Sequence, residues 1–211
     1  MTEVGIRSPR PGSQAKLCFY YGPMNSGKST LAIQTMYNFS CSERKGMLFS
    51  RFDRSGSGFA TSRIGLRTSA TDFEGLDFRQ LVADREELDH LVIDEAQFLD
   101  EEQVEQLADV VDHNSVDVFA FGLASDFRSL LFSGSKRLLE LADYSCAVQL
   151  RTLCWCGDIG LLSGRISGGR LLIDGPTVLV DTIEEAGGYQ VLCRRHYRSG
   201  KGRPPHSPSG P

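Results

Sequence analysis

Residues Gly22 to Ser29 read GPMNSGKS, which fits G-x-x-x-x-G-K-[ST], the pattern of a loop that cradles phosphate. Its physics is narrow. Glycines let consecutive backbone N–H groups turn toward one anion. The lysine reaches the β- and γ-phosphates, and the hydroxyl after it ligates Mg²⁺. On this reading Gly22, Pro23, Met24, Asn25, Ser26, Gly27, Lys28, Ser29 and Thr30 bind the phosphates of a nucleoside triphosphate, with Ser29 also on the magnesium. The flanks agree. Lys16 to Tyr21 (KLCFYY) is a short apolar run that predicts a strand. Ser29 to Phe39 carries Leu31, Ile33 and Met36 without Gly or Pro and predicts a helix. The phosphate would then lie at a helix N-terminus, where free N–H groups and the dipole favour negative charge.

The chain has 211 residues, 40% of them hydrophobic, enough for one α/β domain and a small appendage. Its net charge of −4 argues against a general nucleic-acid binder, which would show a basic face. No apolar run approaches the roughly 18 residues that span a bilayer, and the polar start MTEVGIRSPRPGSQ does not read as a signal peptide. These features predict a cytoplasmic protein with neither nucleic-acid nor membrane partners. In that reducing setting the six cysteines are not a disulfide framework; Cys18 and Cys146 read as core thiols.

Between a disordered N-terminus (1–14) and a Pro/Gly/Ser tail (199–211), strand and helix patterns alternate. Strands are predicted at Gly46 to Ser50, Leu91 to Ile93, Val118 to Phe121 and, as a last one, Ala147 to Leu150. Helices are predicted over Phe78 to Asp89, over Glu101 to His113 with Val104, Leu107, Val110 and Val111 inward, and around Lys136 to Ala142. Five strands alternating with helices predict a parallel sheet covered on both faces, a RecA-like P-loop α/β core over 15–150. From Arg151 the chain turns glycine-rich with short β-like pieces, which predicts a second, small domain over 151–198.

Two features carry chemistry beyond the loop. Asp94 and Glu95 follow an apolar strand, LVI, directly. In such a core Asp94 would hold a water of the Mg²⁺, and Glu95 would accept a proton from whatever attacks the γ-phosphate. A water as attacker makes an NTPase; a substrate hydroxyl makes a kinase. The second feature is Cys154-x-Cys156 with Cys193-x-x-His196. Three soft sulfurs and an imidazole fit a closed tetrahedral Zn²⁺ site stapling a module too small for its own core. The usual knuckle is C-x-x-C; C-x-C is tighter.

In order along Lys16 to Tyr197, GPMNSGKST, SRIGL at Ser62, VIDEAQF at Val92, GLASDF at Gly122, FSGSKRLLELAD, CG at Cys156 and YQVLCRRHY at Tyr189 together resemble the type II, cytosolic-type thymidine kinases. The resemblance implies transfer of the ATP γ-phosphoryl to the 5′-hydroxyl of thymidine, with Glu95 as general base. It implies Arg54 near the transferred phosphoryl and Met24, Phe98, Leu123 and Phe127 around the thymine ring. It implies a lasso gripping the base through Ser163, Tyr189 and the stretch Val178 to Val180. It further implies Cys156, Cys193 and His196 as zinc ligands, with Cys154 substituting from one position later for the family's first cysteine, ATP, Mg²⁺ and structural Zn²⁺ as cofactors, and a homotetramer. The chain departs from the family pattern in three places. Its Asp53-Arg54 spacing differs, the family's first cysteine falls on Leu153, and extra residues sit around Gly168 to Pro176. A competing class is a zinc-containing P-loop NTPase that binds nucleic acid.

Overall fold

The computed structural model describes residues 14–51, 58–85, 87–148, 150–175 and 188–204. Among them, five parallel strands form the central sheet in the order β2 (Gly46–Phe49), β5 (His90–Ile93), β6 (Asp117–Gly122), β1 (Leu17–Tyr21), β7 (Tyr144–Ala147). Register is set by alternation. Leu17, Phe19, Leu91, Ile93, Val118 and Ala120 face one side. Cys18, Tyr20, Val92, Phe119 and Phe121 face the other. The first side is covered by α2 (Phe78–Ala83), α3 (Glu101–Asn114) and α4 (Ser133–Leu141) through Phe78, Val82, Val104, Leu107, Val110 and Leu138. The second is covered by α1 (Lys28–Ser40) through Ala32 and Phe39. Both faces being buried is why β5 and β6 are continuous apolar runs rather than alternating ones.

α3 starts at a capping box. The Asp100 carboxylate accepts from the Gln103 N–H at 2.7 Å, and the Gln103 side chain accepts from the Asp100 N–H at 3.3 Å. Its buried stripe contains the predicted Val104, Leu107, Val110 and Val111. The predicted first helix is present as α1. Lys28, Ala32, Thr35 and Phe39 are buried, while Leu31, Ile33 and Met36 are only partly covered.

Several boundaries move. α2 ends at Ala83 rather than Asp89. The last strand is Tyr144–Ala147, three residues ahead of the predicted start, because it pairs with β1 as Cys18↔Tyr144 through Tyr21↔Ala147. At that edge Cys146 is half-buried, not a core thiol, whereas Cys18 is buried. The polar stretch after β2 holds an unpredicted hairpin, β3 (Phe59–Thr61) with β4 (Arg67–Ser69).

The small module is a three-stranded antiparallel sheet, β10 (Tyr189–Leu192), β8 (Leu162–Ser167), β9 (Arg170–Leu172), followed by the short α5 (Arg194–Arg198). Ser167 pairs with Arg170, so Gly168 and Gly169 make a two-residue turn with φ of 54° and 75°. Both residues in the left-handed region is the type I′ pattern, which suits glycine. Part of the stretch assigned to a disordered tail is ordered. The Gly202 N–H donates to the Gly169 carbonyl, and the Arg203 N–H donates to Gln190 Oε1.

Candidate functional site

The site lies where β1, β5 and β6 end on the same edge of the sheet. β6 is flanked by β1 and β5, so their C-terminal ends converge where open α/β sheets bind ligands. β1 runs into the phosphate-type loop, β5 into Asp94 and Glu95, and β6 into Gly122 and Leu123. The Gly22 N–H donates to the Gly122 carbonyl at 3.3 Å and pins the loop to β6.

The loop's glycines have distinct tasks. A Cβ on Gly22 would come within 2.6 Å of Ser26 Oγ. Gly27 has φ 81°, and Asn25 is also left-handed at φ 63°; such reversals turn successive amides inward. Lys28 begins α1, is buried, and donates from Nζ to the Pro23 carbonyl at 2.9 Å. Burial lowers its ammonium pKa, while Glu95 and Asp94 oppose that shift. Two buried polar atoms, Ser26 Oγ and Asp94 Oδ1, lack a hydrogen-bond partner among the described residues. Burial pushes the Asp94 carboxyl up to about 7; the Glu95 charge adds to this, and the hydroxyl of Ser29 and the backbone at Glu95 pull it down. An orphaned carboxylate oxygen beside a hydroxyl, with an acid next to it, is a donor set that fits a hard divalent cation.

Glu95 is half-buried with φ 53° and caps a single 3₁₀ turn, Ala96–Phe98. It lines a cavity of about 410 Å³ together with Asn25, Lys28, Ser29, Arg63 and Leu123. Met24 and Thr30 line it as well. The loop between β3 and β4 supplies Thr61, Ser62, Arg63 and Ile64 to this cavity. Arg63 was assigned no role from sequence, since its only signal was its place in SRIGL.

A second cavity, about 330 Å³, opens between the core and the small module. It is lined by Pro23, Leu123, Val148, Thr152, Leu161 and Ser163 among others. Leu123 borders both cavities. Ser163 is buried, and its hydroxyl accepts from the Met24 N–H at 3.0 Å, tying the module to the loop. Phe98, Phe127 and Tyr189 line neither cavity. Phe98 packs edge-on against Phe132, with ring centroids 5.9 Å apart. The Arg165 guanidinium lies over the Phe127 ring at 4.1 Å and donates to the Tyr189 hydroxyl at 2.8 Å. Tyr197 donates its hydroxyl to the Phe127 carbonyl at 2.8 Å. Phe127, Tyr189 and Tyr197 thereby join the module to the core, while Phe98 packs within the core. Arg54 and Val178 to Val180 lie outside the described residues.

The cysteine and histidine positions converge. The ligand atoms of Cys154, Cys156, Cys193 and His196 all lie within 4.8 Å of one another. His196 Nδ1 is 3.4 Å from both Cys154 Sγ and Cys193 Sγ, and Cys156 Sγ is 3.9 Å from Cys193 Sγ. Tetrahedral zinc with Zn–S of about 2.3 Å places sulfurs roughly 3.8 Å apart, so the four fit that ion. The short C-x-C spacing is accommodated by a turn. The Gly157 N–H donates to the Cys154 carbonyl at 2.9 Å, with Gly157 at φ 87°. The intervening Trp155 stacks on the His196 ring at 4.1 Å.

A family model described as "Thymidine kinase" matches residues 15–197. A thymidine kinase of Streptomyces avermitilis is 44% identical over 191 residues, covering 87% of this chain and 88% of that protein. One of Cutibacterium acnes is 45% identical over 195 residues, covering 88% and 89%. One of Legionella pneumophila strain Paris is 39% identical over 198 residues, covering 89% and 91%. The match takes in both cavities, the acidic end of β5 and the Cys/His cluster, and the chain belongs to the thymidine kinase family.

Proposed function

We propose that the protein transfers the γ-phosphoryl group of ATP to the 5′-hydroxyl of thymidine in the cytoplasm, producing thymidine monophosphate and ADP. The observation that carries this reading is the Glu95 carboxylate lining one cavity with Lys28 and Ser29 of the phosphate-type loop. Amides of Asn25 to Ser29 and the Lys28 ammonium hold the β- and γ-phosphates. Ser29 and Asp94 would hold Mg²⁺, which when bound offsets charge on the phosphates. Glu95 takes the 5′-OH proton as the alkoxide oxygen bonds to the γ-phosphorus and the bond to ADP breaks. The cavity beside Leu123 and Ser163 takes the nucleoside, with Leu123 at the boundary of the two spaces and Met24 beside it in the first. Phe98, Phe127 and Tyr189 support that pocket from behind, and Arg54 assists at the phosphates. The Cys154, Cys156, Cys193 and His196 set would hold a structural Zn²⁺, stapling a lid that keeps water from the phosphoryl group. The working assembly is a homotetramer.

The test is incubation with γ-labelled ATP and a panel of nucleosides. The expected result is label on thymidine and little ATP hydrolysis without it. Hydrolysis at the same rate with no nucleoside, and label on none, would replace the kinase reading with a water-attacking NTPase.

A further inference from the structure

We propose that Gln97 is the positioning residue that aims the Glu95 carboxylate, through an amide that joins the catalytic turn to the rim of the nucleoside cavity. The inference rests on the kinase reading above. Gln97 is 2% exposed and sits in the 3₁₀ turn after Glu95. Its Nε2 donates to Glu95 Oε2 at 2.6 Å. Its Oε1 accepts from the Leu123 N–H at 2.9 Å. The orientation of this amide is forced, because a backbone N–H can bond only to the oxygen end, which leaves the NH₂ facing the carboxylate.

Three further features fix the arrangement. Glu95 has φ 53°, an uncommon conformation for a residue with a side chain, and the Phe98 N–H closes the turn onto its carbonyl at 3.0 Å. Gly122 leaves the room: a Cβ there would lie 2.9 Å from Gln97 Oε1 and 3.0 Å from Gln97 N. Leu123 is held from its other side as well, its carbonyl accepting from the fully buried Ser135 hydroxyl at 2.6 Å. One carboxylate oxygen is therefore anchored, leaving the other for the substrate hydroxyl. The anchor reaches a residue that borders both cavities. Gln97 touches no reacting atom; it restricts rotation of the group that does.

The test is a double-mutant cycle between Gln97→Glu and Glu95→Gln, with kcat and both KM values measured on the full chain. Gln97→Glu keeps an acceptor for Leu123, removes the donor to Glu95 and places a second carboxylate beside it; Gln97→Asn adds no charge and separates loss of the donor from charge repulsion. Expected are at least a tenfold fall in kcat, KM values for thymidine and ATP within threefold, and less than a twofold further loss from Gln97→Glu in the Glu95→Gln background. Gln97→Asn, a polar variant too short to span both partners, should repeat the fall in kcat if Gln97→Glu does not fold. A kcat within twofold of the parent for a folded Gln97 variant overturns the proposal, as does the same fold-loss in both backgrounds. Failure of the kinase reading looks different: label from γ-labelled ATP would then appear on no nucleoside, with the parent as with the variants.

Discussion

His90 shows how one residue can bind the fold to a pH range. It is fully buried in β5 and packs on Phe39 with ring centroids 4.6 Å apart; neither ring nitrogen has a hydrogen-bond partner among the described residues. Burial, with Arg44 adding and Asp89 opposing, lowers its pKa to about 4. An unfolded chain would hold the proton at its ordinary value near 6.5. Stability from the neutral ring is thus complete above about 6.5 and is lost as pH falls toward 4, by on the order of 3 kcal/mol. Urea midpoints measured from pH 7 to 4.5 should fall in the parent and fall less in His90→Leu. The same contact explains Gly46, whose Cβ would stand 2.1 Å from His90 Nε2. Gly46→Ala should lower the melting temperature through overpacking of about 1–3 kcal/mol. At this scale the chemistry was readable where it follows the chain: Lys28 and Ser29 sit in a motif, and Asp94 and Glu95 end an apolar run. Gln97 and Arg63 were not readable. Gln97 meets Leu123 at the end of another strand, and Arg63 reaches the cavity from the loop between β3 and β4; spacing along one sequence does not encode such meetings.

Elements were legible in proportion to how far one pattern decided them. β5, β6 and α3 fell close to their expected places because long apolar periodicity and a cap agree there. Asp100→Ala should remove the half of the α3 capping box in which the carboxylate accepts from the Gln103 N–H, while the backbone N–H that donates to Gln103 stays, and cost about 1 kcal/mol in a urea titration; an unchanged midpoint would mean the cap is already satisfied by water. β7 and the β3–β4 hairpin were misplaced or missed. Their residues are half-exposed edge pieces, so pairing partners rather than local pattern set their ends. The helix α1 was expected, but which of its residues are buried was not. Its first buried position is Lys28, a charged residue that the binding loop, not the core, draws inward.

At the scale of the whole molecule, a five-stranded core and a three-stranded sheet meet at the site. The five-stranded core rests on two large apolar clusters, whereas the small module has one cluster of Cys154, Ile166, Leu192 and Cys193, two of them in the Cys/His set. A module with so little to bury depends on its staple. Chelation of a zinc-loaded sample should alter the fluorescence of Trp155, the only tryptophan, and expose 151–204 to protease while 14–148 stays protected. Equal cutting in both parts would mean the metal supports the core as well. Ser163→Ala removes the tie to the Met24 N–H and should raise the KM for thymidine several-fold, with a stability loss of about 1 kcal/mol. The central claim is that Glu95 takes the proton of a nucleoside hydroxyl beside a bound triphosphate. Its most direct test is the turnover of Glu95→Gln with thymidine, with ATP affinity measured in parallel. The expected outcome is ATP binding within threefold of the parent and phosphorylation slowed at least about a hundredfold; turnover equal to the parent's would contradict it.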